Sequence, residues 1–331
     1  MEMRTLGGGF RVPALGLGCA GMSGTYGPAD DAESIATIRA AVDAGITLLD
    51  TADFYGMGHN EMLIGRALRP GDREKAVLSV KFGGLRGLDG GFRGIDARPA
   101  AVQNFLGYSL RRLGTEYVDI YRPARLDPAV PIEDTVGAIA ELVQAGYVRG
   151  IGLSEVGTAT IRRAHAVHPI TDLQIEYSLF SRGIEDGILA TCRELGIGVT
   201  AYGVLAQGML SGAWQPAAGG AGGRAHLPRF AEGNVEANLA LVGELRKIAA
   251  ARGVTVAQLA IAWVLAQGRQ HGGIVALVGA RRPQRITEAM GAADLELTGE
   301  DLAAIGQAVP RSAVAGDRYA PALLSMLDSE R

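Results

Sequence analysis

A chain of 331 residues has room for two modest domains or one large barrel, and 48% hydrophobic against 20% charged residues is the balance of an ordinary globular protein. A formal charge of −3 gives no electrostatic reason to expect nucleic acid or an anionic membrane as partner. Two cysteines, Cys19 and Cys192, are too few for a disulfide scaffold or a cysteine-rich metal site, and they suit a reducing cytoplasm.

The N-terminal MEMRTLGGGFRV lacks the uninterrupted apolar core of a signal peptide. Short β-prone runs then follow at 15–18, 46–50, 76–81, 117–121, 148–154, 172–177, 198–202 and 273–279. Helical patterns alternate with them at 31–44, 60–68, 98–113, 133–146, 157–167, 185–195, 235–252 and 283–292, with further helices at 255–267 and 299–308. Asp30 or Asp31, and Thr298 with Asp301, are the helix-start signals. The most apolar stretch, VTVAQLAIAWVLAQG, carries Gln258 and Gln267 and is too short to span a bilayer, which needs about 18 clean apolar residues. The expectation is a soluble, cytoplasmic chain.

Eight apolar strands, each followed by an amphipathic helix with no linker between, predict an α/β protein folded as one (β/α)8 TIM barrel over 1–331. Three segments exceed ordinary loop length: 83–97, 206–234 and the tail 310–331. The first two follow strands 3 and 7 and so rim the face on which barrels do chemistry.

Several motifs resolve to nothing. GLGCAG, from Gly16 to Gly21, matches G-x-G-x-x-G, but the MSGTYGP that follows cannot open the helix a dinucleotide site needs. The sequence GLSEVG around Ser154 misses the nucleophile-elbow pattern by one residue. His165 and His168 share a helical face without a third ligand, and no metal site is expected.

Two strand ends carry more chemistry. Strand 2 closes in LLDTADFYG and strand 3 in VLSVKFGG, so Asp50 and Lys81 are single charges delivered to the active face, with Tyr55 on the adjoining loop. A phenol of pKa about 10 is a poor acid at neutral pH. A nearby ammonium lowers that value, and a carboxylate can hold the ammonium in place. The trio would then protonate a carbonyl oxygen as hydride reaches its carbon. The same residues also fit a plain reading: Asp50 caps a turn, Lys81 snorkels and Tyr55 sits on the rim. After strand 8, GARRPQRITE sets Arg281, Arg282 and Arg285 around a helix start, which is either a phosphate site or a solvated basic turn.

In order along the chain, MSGTYG, DTADFYGMGHNEMLIGRAL, SVKFG, GIGLSE, QIEYSLFSR, AYGVLAQGMLSG and VGARRPQRITEAM resemble the aldo-keto reductase superfamily from about residue 3 to 310. They are most similar to the branch that reduces pyridoxal-type and other aldehydes. The resemblance implies a barrel that binds NADPH across its C-terminal face and reduces an aldehyde or ketone to the alcohol. It implies Asp50, Tyr55 and Lys81 as catalytic residues, with Tyr55 the general acid. Ser154 and Gln174 would bind the nicotinamide amide and Tyr202 would stack on the ring. Gly203, Leu205 and Gly208 would pass the pyrophosphate, and Gly21 and Met22 the nicotinamide ribose. Beyond Gly279, Arg281 and Arg285 would hold the phosphate that distinguishes NADPH from NADH, and Glu288 would meet the adenine. Glu155 stands where many members have asparagine, and Ala289 replaces another frequent asparagine.

One position departs from the family. Its fourth catalytic residue is a histidine in a pattern like DLYxxHRxDP, whereas this chain reads DIYRPARLDP, with Ala124 in the histidine's place. None of His59, His165, His168, His226 or His271 lies in that strand, and only an unexpected loop path would bring His59 in. Losing such a group commonly costs about 10²–10⁴-fold in rate. Two alternatives therefore stand beside carbonyl reduction: reduction of a conjugated enone, and an NADPH-binding sensor with little turnover. Strand alternation turns Arg122 inward beneath Ala124, with Glu176, inward beside Gln174, as candidate partner.

Overall fold

The computed structural model of the chain describes residues 1–215, 224 and 227–330. Positions 216–223, 225 and 226 of the long loop, including His226, and position 331 lie outside the described residues.

Eight parallel strands close into a barrel in chain order: β1 Leu15–Gly18, β2 Leu48–Ala52, β3 Val77–Phe82, β4 Val118–Pro123, β5 Val148–Ser154, β6 Ile170–Glu176, β7 Gly198–Tyr202 and β8 Ile274–Gly279. The last strand returns to the first through Ala276↔Leu15 and Gly279↔Gly18, so no edge is left open. The ring outside is α1 Asp31–Asp43, α2 His59–Ala67, α3 Pro99–Leu113, α4 Ile132–Gln144, α5 Thr158–Val167, α6 Ile188–Glu194, α7 Asn234–Ala251, α8 Val256–His271 and α9 Pro283–Ala293. Each strand is buried on both faces, because the helices cover one and the barrel interior the other.

Local chemistry explains the helix limits. Asp30 caps α1 by accepting from the Glu33 amide at 2.7 Å. Thr255 with Gln258 opens α8, and Thr298 with Asp301 opens α10 (Gly299–Ala308), each as a reciprocal capping box. The continuous helix expected at 185–195 is instead a 3₁₀ turn, Gly183–Asp186, followed by α6. Gly187, at φ 132°, breaks the run in a region only glycine enters freely. No single helix among the described residues is long and apolar enough to cross a membrane.

Two hairpins lay outside the predicted strands. Met3–Thr5 pairs with Arg11–Pro13 under the barrel, where Leu6 and Val12 pack with Leu48, Ile120 and Val275 as a separate apolar floor. Within the expected loop 83–97, Gly84–Arg86 pairs with Phe92–Ile95. Gly84 lies flat against the Phe54 ring, since a Cβ there would come within 2.6 Å of it.

Above the apolar floor the interior turns polar. Asp50, Ser79, Lys81, Arg122, Asp172, Gln174 and Thr200 are all buried inside the barrel, on β2, β3, β4, β6 and β7. Such groups persist only if they satisfy one another.

Candidate active site

Asp50 is the centre of that polar layer. Its Oδ1 is ion-paired with Lys81 Nζ, and its Oδ2 accepts from Gln174 Nε2 at 2.6 Å and from Ser79 Oγ at 2.9 Å. Register brings these groups together: Asp50 pairs with Ser79, and Ala52 with Lys81. Ser79 Oγ also accepts from Arg122 Nη2 at 2.9 Å, and the same nitrogen meets Asp172 Oδ2 at 3.1 Å, which in turn accepts from Thr200 Oγ1 at 2.6 Å. Two carboxylates and two cations thus form one chain of polar contacts across the barrel.

Arg122 is completely buried, as strand alternation predicts, but its partner is Asp172 and not Glu176. Both carboxylates belong to β6. Asp172 lies two residues below Gln174, at the depth of Arg122, whereas Glu176 lies two residues above, at the mouth. The ion pair also needs Gly152 on β5, where a Cβ would sit 2.6 Å from Asp172 Oδ1 and 2.9 Å from Arg122 Nε.

Tyr55 leaves β2 on a tight turn, with Gly56, Met57 and Gly58 all at positive φ. That conformation is costly for Met57 and re-aims the chain sharply. The Tyr55 ring is half-buried, edge-on to Phe54, with Lys81 Nζ 5.0 Å from its centroid. Burial, then the charge of Asp50, holds its phenol above the ordinary value, with Arg125 and Arg122 opposing. This reverses the expected direction: Lys81 is bound to Asp50, and burial with the Asp50 carboxylate outweighs the cations nearby. A phenol so held keeps its proton. Lys81 itself is lowered, by burial first, against the pull of Asp50.

Around this core lie the other residues singled out. Gly21 and Met22 are buried in the turn after β1, and a Cβ on Gly21 would touch Tyr26 and Arg281. Ser154 ends β5 and Tyr202 ends β7. Beyond Tyr202, Gly203 is at φ 68°, and Leu205 leads into Ala206, Gln207 and Gly208, three successive residues at positive φ. Gly279 closes β8. Arg281 and Arg285 are exposed at the start of α9, whose N-cap, Arg282, makes no side-chain cap bond. Arg281 Nη1 donates to the Pro28 carbonyl at 3.1 Å, and Arg285 Nη1 to Glu288 at 2.6 Å. Uncapped amides and guanidinium groups at one helix start suit a phosphate.

Ala124 is buried just beyond β4, its amide donating to the Phe82 carbonyl at 2.8 Å. His59 does not replace the missing histidine: its ring nitrogens meet Ser23 Oγ at 2.9 Å and Asp31 at 3.0 Å. Among the described residues no cluster of histidine, cysteine or carboxylate is placed to hold a metal.

Sequence reasoning missed three features. Asp53 is buried against the Gly83 amide and pushed up to about 7, by burial first and Glu61 further down the causes. Arg125 donates through Nη1 to the Ala124 carbonyl at 2.6 Å and to Ser154 Oγ at 3.3 Å. Arg318, from the tail, reaches the buried Glu155 with two bonds of 2.8 and 2.5 Å and Glu176 at 3.4 Å. Ser329 and Asp328 fasten the same tail to the backbone of Glu155 and Gly157. Tyr202 donates to Glu155 at 2.7 Å and lies 3.1 Å from the Tyr319 hydroxyl. In the sequence only the odd place of Glu155 in GLSE could have flagged this; its positive φ is visible in the structure alone.

A sequence model described as the aldo/keto reductase family matches residues 14–310. "Probable aldo-keto reductase 1" of Glycine max is 42% identical over 315 residues, covering 94% of this chain and 89% of that one. Among solved structures, the glycerol dehydrogenase of Gluconobacter oxydans superposes with a TM-score of 0.83 at 30% identity, over 94% of this chain and 95% of the other. An aldo/keto reductase from Klebsiella pneumoniae, in complex with NADP and acetate, gives 0.73 at 29% identity, over 93% and 95%.

Proposed function

The chain belongs to the aldo/keto reductase family, and from that membership we propose that it reduces an aldehyde or ketone to the alcohol with NADPH, Tyr55 acting as the general acid. The family is one of NADP-dependent oxidoreductases, and the Klebsiella pneumoniae relative was crystallised with NADP. The observation that carries the reading is the junction of Tyr55, Lys81 and Asp50 at the C-terminal end of the barrel, with Lys81 both paired to Asp50 and 5.0 Å from the Tyr55 ring.

The residues present fit the cofactor. The exposed arginines Arg281 and Arg285 at an uncapped helix start would take its phosphate, and Glu288 the adenine side. Gly279, Gly203, Leu205 and Gly208 would let it approach the backbone, with Gly21 and Met22 beside the ribose. Tyr202 offers a ring face, Ser154 a hydroxyl, and Gln174 an amide oxygen, since its Nε2 is spent on Asp50. When bound, NADPH supplies the hydride. Tyr55 gives its proton to the carbonyl oxygen as that oxygen becomes an alcohol. Lys81 stabilises the phenolate left behind, and Asp50 fixes Lys81 where it can do so.

Ala124 gives the second reading, enone reduction, an observation of its own, because its methyl cannot orient a carbonyl oxygen. Mixing the NADPH-loaded protein in a stopped-flow instrument with a panel of aldehydes, ketones and enones separates the two. Loss of NADPH absorbance with the saturated carbonyls is the expected result. Loss with enones alone would replace the first reading by the second. Tight binding without oxidation by any member would make the chain a sensor, a role that has no need for the full trio.

A further inference from the structure

We propose that Arg125 is an anion-recognising residue in the substrate pocket, and that the carbonyl substrates carry a carboxylate or phosphate. This rests on the reductase reading and adds to it the substrate class.

Arg125 follows Ala124 at the mouth of the barrel. One nitrogen, Nη1, is fixed by the Ala124 carbonyl and Ser154 Oγ. Its other two nitrogens have no protein partner among the described residues, although the side chain is half-buried. They are not sealed off, in contrast to Arg122 Nε and Nη1. Neighbouring arginines behave differently: Arg122 is paired with Asp172, and Arg318 with Glu155 and Glu176. A partly buried guanidinium without a carboxylate is costly, and the cost falls when a ligand brings the anion.

The groups that face Arg125 point the same way. Burial pushes the Arg125 guanidinium down, but the groups around it, the Glu155 carboxylate being the one that is charged at neutral pH, more than offset this and Arg125 stays a cation. Glu155, the one carboxylate among them, is occupied by Arg318. An open guanidinium fork matches a carboxylate or phosphate in two parallel hydrogen bonds, which fixes direction as well as distance. Beside it, the buried Ala124 methyl neither donates a bond nor fills the volume of a ring. An anionic substrate held by Arg125 would have its carbonyl directed toward Tyr55 by its own charge, and the position of the family's histidine could then be an alanine.

The test compares matched pairs: para-formylbenzoate against its methyl ester, and glyceraldehyde phosphate against glyceraldehyde. For the native protein the charged member should be favoured by about 10- to 100-fold in kcat/KM, the worth of a hydrogen bond to a charged group. Arg125→Met should erase that preference, chiefly through KM, and Arg125→Lys should restore part of it. NADPH binding, followed by fluorescence, reports that each variant is folded. The pair with the larger preference identifies the carboxylate or the phosphate as the anion. Turnover of all four compounds without preference overturns the assignment of Arg125 alone. A parallel loss on charged and neutral members in Arg125→Met does the same. No turnover with any compound overturns it together with the reductase reading.

Discussion

Tyr55→Phe is expected to lower kcat/KM for carbonyl reduction by about 10²–10⁴-fold, the usual contribution of a positioned acid. The variant keeps the ring, and with it the edge contact to Phe54 and the 5.0 Å approach of Lys81. What disappears is one hydroxyl, so NADPH affinity should be retained and the loss should fall on kcat. Burial and the Asp50 charge hold the native phenol above its ordinary value, so it stays protonated through about pH 10. No fall in rate below that pH should therefore come from loss of the Tyr55 proton. Undiminished turnover in Tyr55→Phe would remove the residue from its role, and a matching loss of NADPH affinity would mark the defect as structural.

The second large effect is on stability. Arg318→Met should cost about 3–5 kcal/mol in denaturant unfolding, because it strands a buried charge. Glu155 is completely buried, and without Arg318 only hydroxyl and backbone groups among the described residues would remain bonded to it. Burial alone would raise the Glu155 carboxyl, but the two bonds from Arg318, then the charges of Arg318 and Arg125, bring it to about 2. A folded-state value below the unfolded one contributes stability above the unfolded value and loses it as pH falls through the folded one. The gap between native protein and variant should therefore be full at neutral pH and shrink from about pH 4.5 down toward 2. Adding Glu155→Gln to Arg318→Met should recover part of the loss. Equal stabilities at neutral pH, or a gap that ignores pH, would rule out the ion pair as the cause.

What could be read from the sequence was whatever depends on nearest neighbours along the chain. Alternation of short apolar runs with amphipathic helices is local, and it gave all eight strands of the barrel in order. Inward facing is local too, so strand alternation alone turns Arg122 to the interior, where it is found. Its partner was not local. Choosing between Asp172 and Glu176 requires knowing how far one strand is staggered against others across the barrel, and four residues along β6 separate the answers. The same limit hid Arg318, which is 163 positions from Glu155. Glycine-rich composition masked the hairpin at Gly84–Arg86 and Phe92–Ile95, because its turn residues outnumber its β-formers. For Tyr55 the strand ends point to Asp50 and Lys81 as neighbours, but burial sets the direction of the pKa, and no spacing reveals burial.

The docking of the tail also bears on the order in which the protein is made. Glu155 and Glu176 emerge from the ribosome with the middle of the barrel, whereas Arg318 follows some 160 residues later for the first, a separation of 163, and 142 for the second. Until then the mouths of β5 and β6 hold two carboxylates that lack this counter-charge, and Tyr202 lacks its neighbour Tyr319. Domains are synthesised from the N-terminus at about 5–20 residues per second, so the interval lasts on the order of ten seconds. We therefore expect nascent chains arrested just before Arg318 to be digested by protease at the ends of β5 and β6, and chains carrying the full sequence on a C-terminal linker that clears the ribosome to resist; equal resistance would mean that the barrel closes without its last segment.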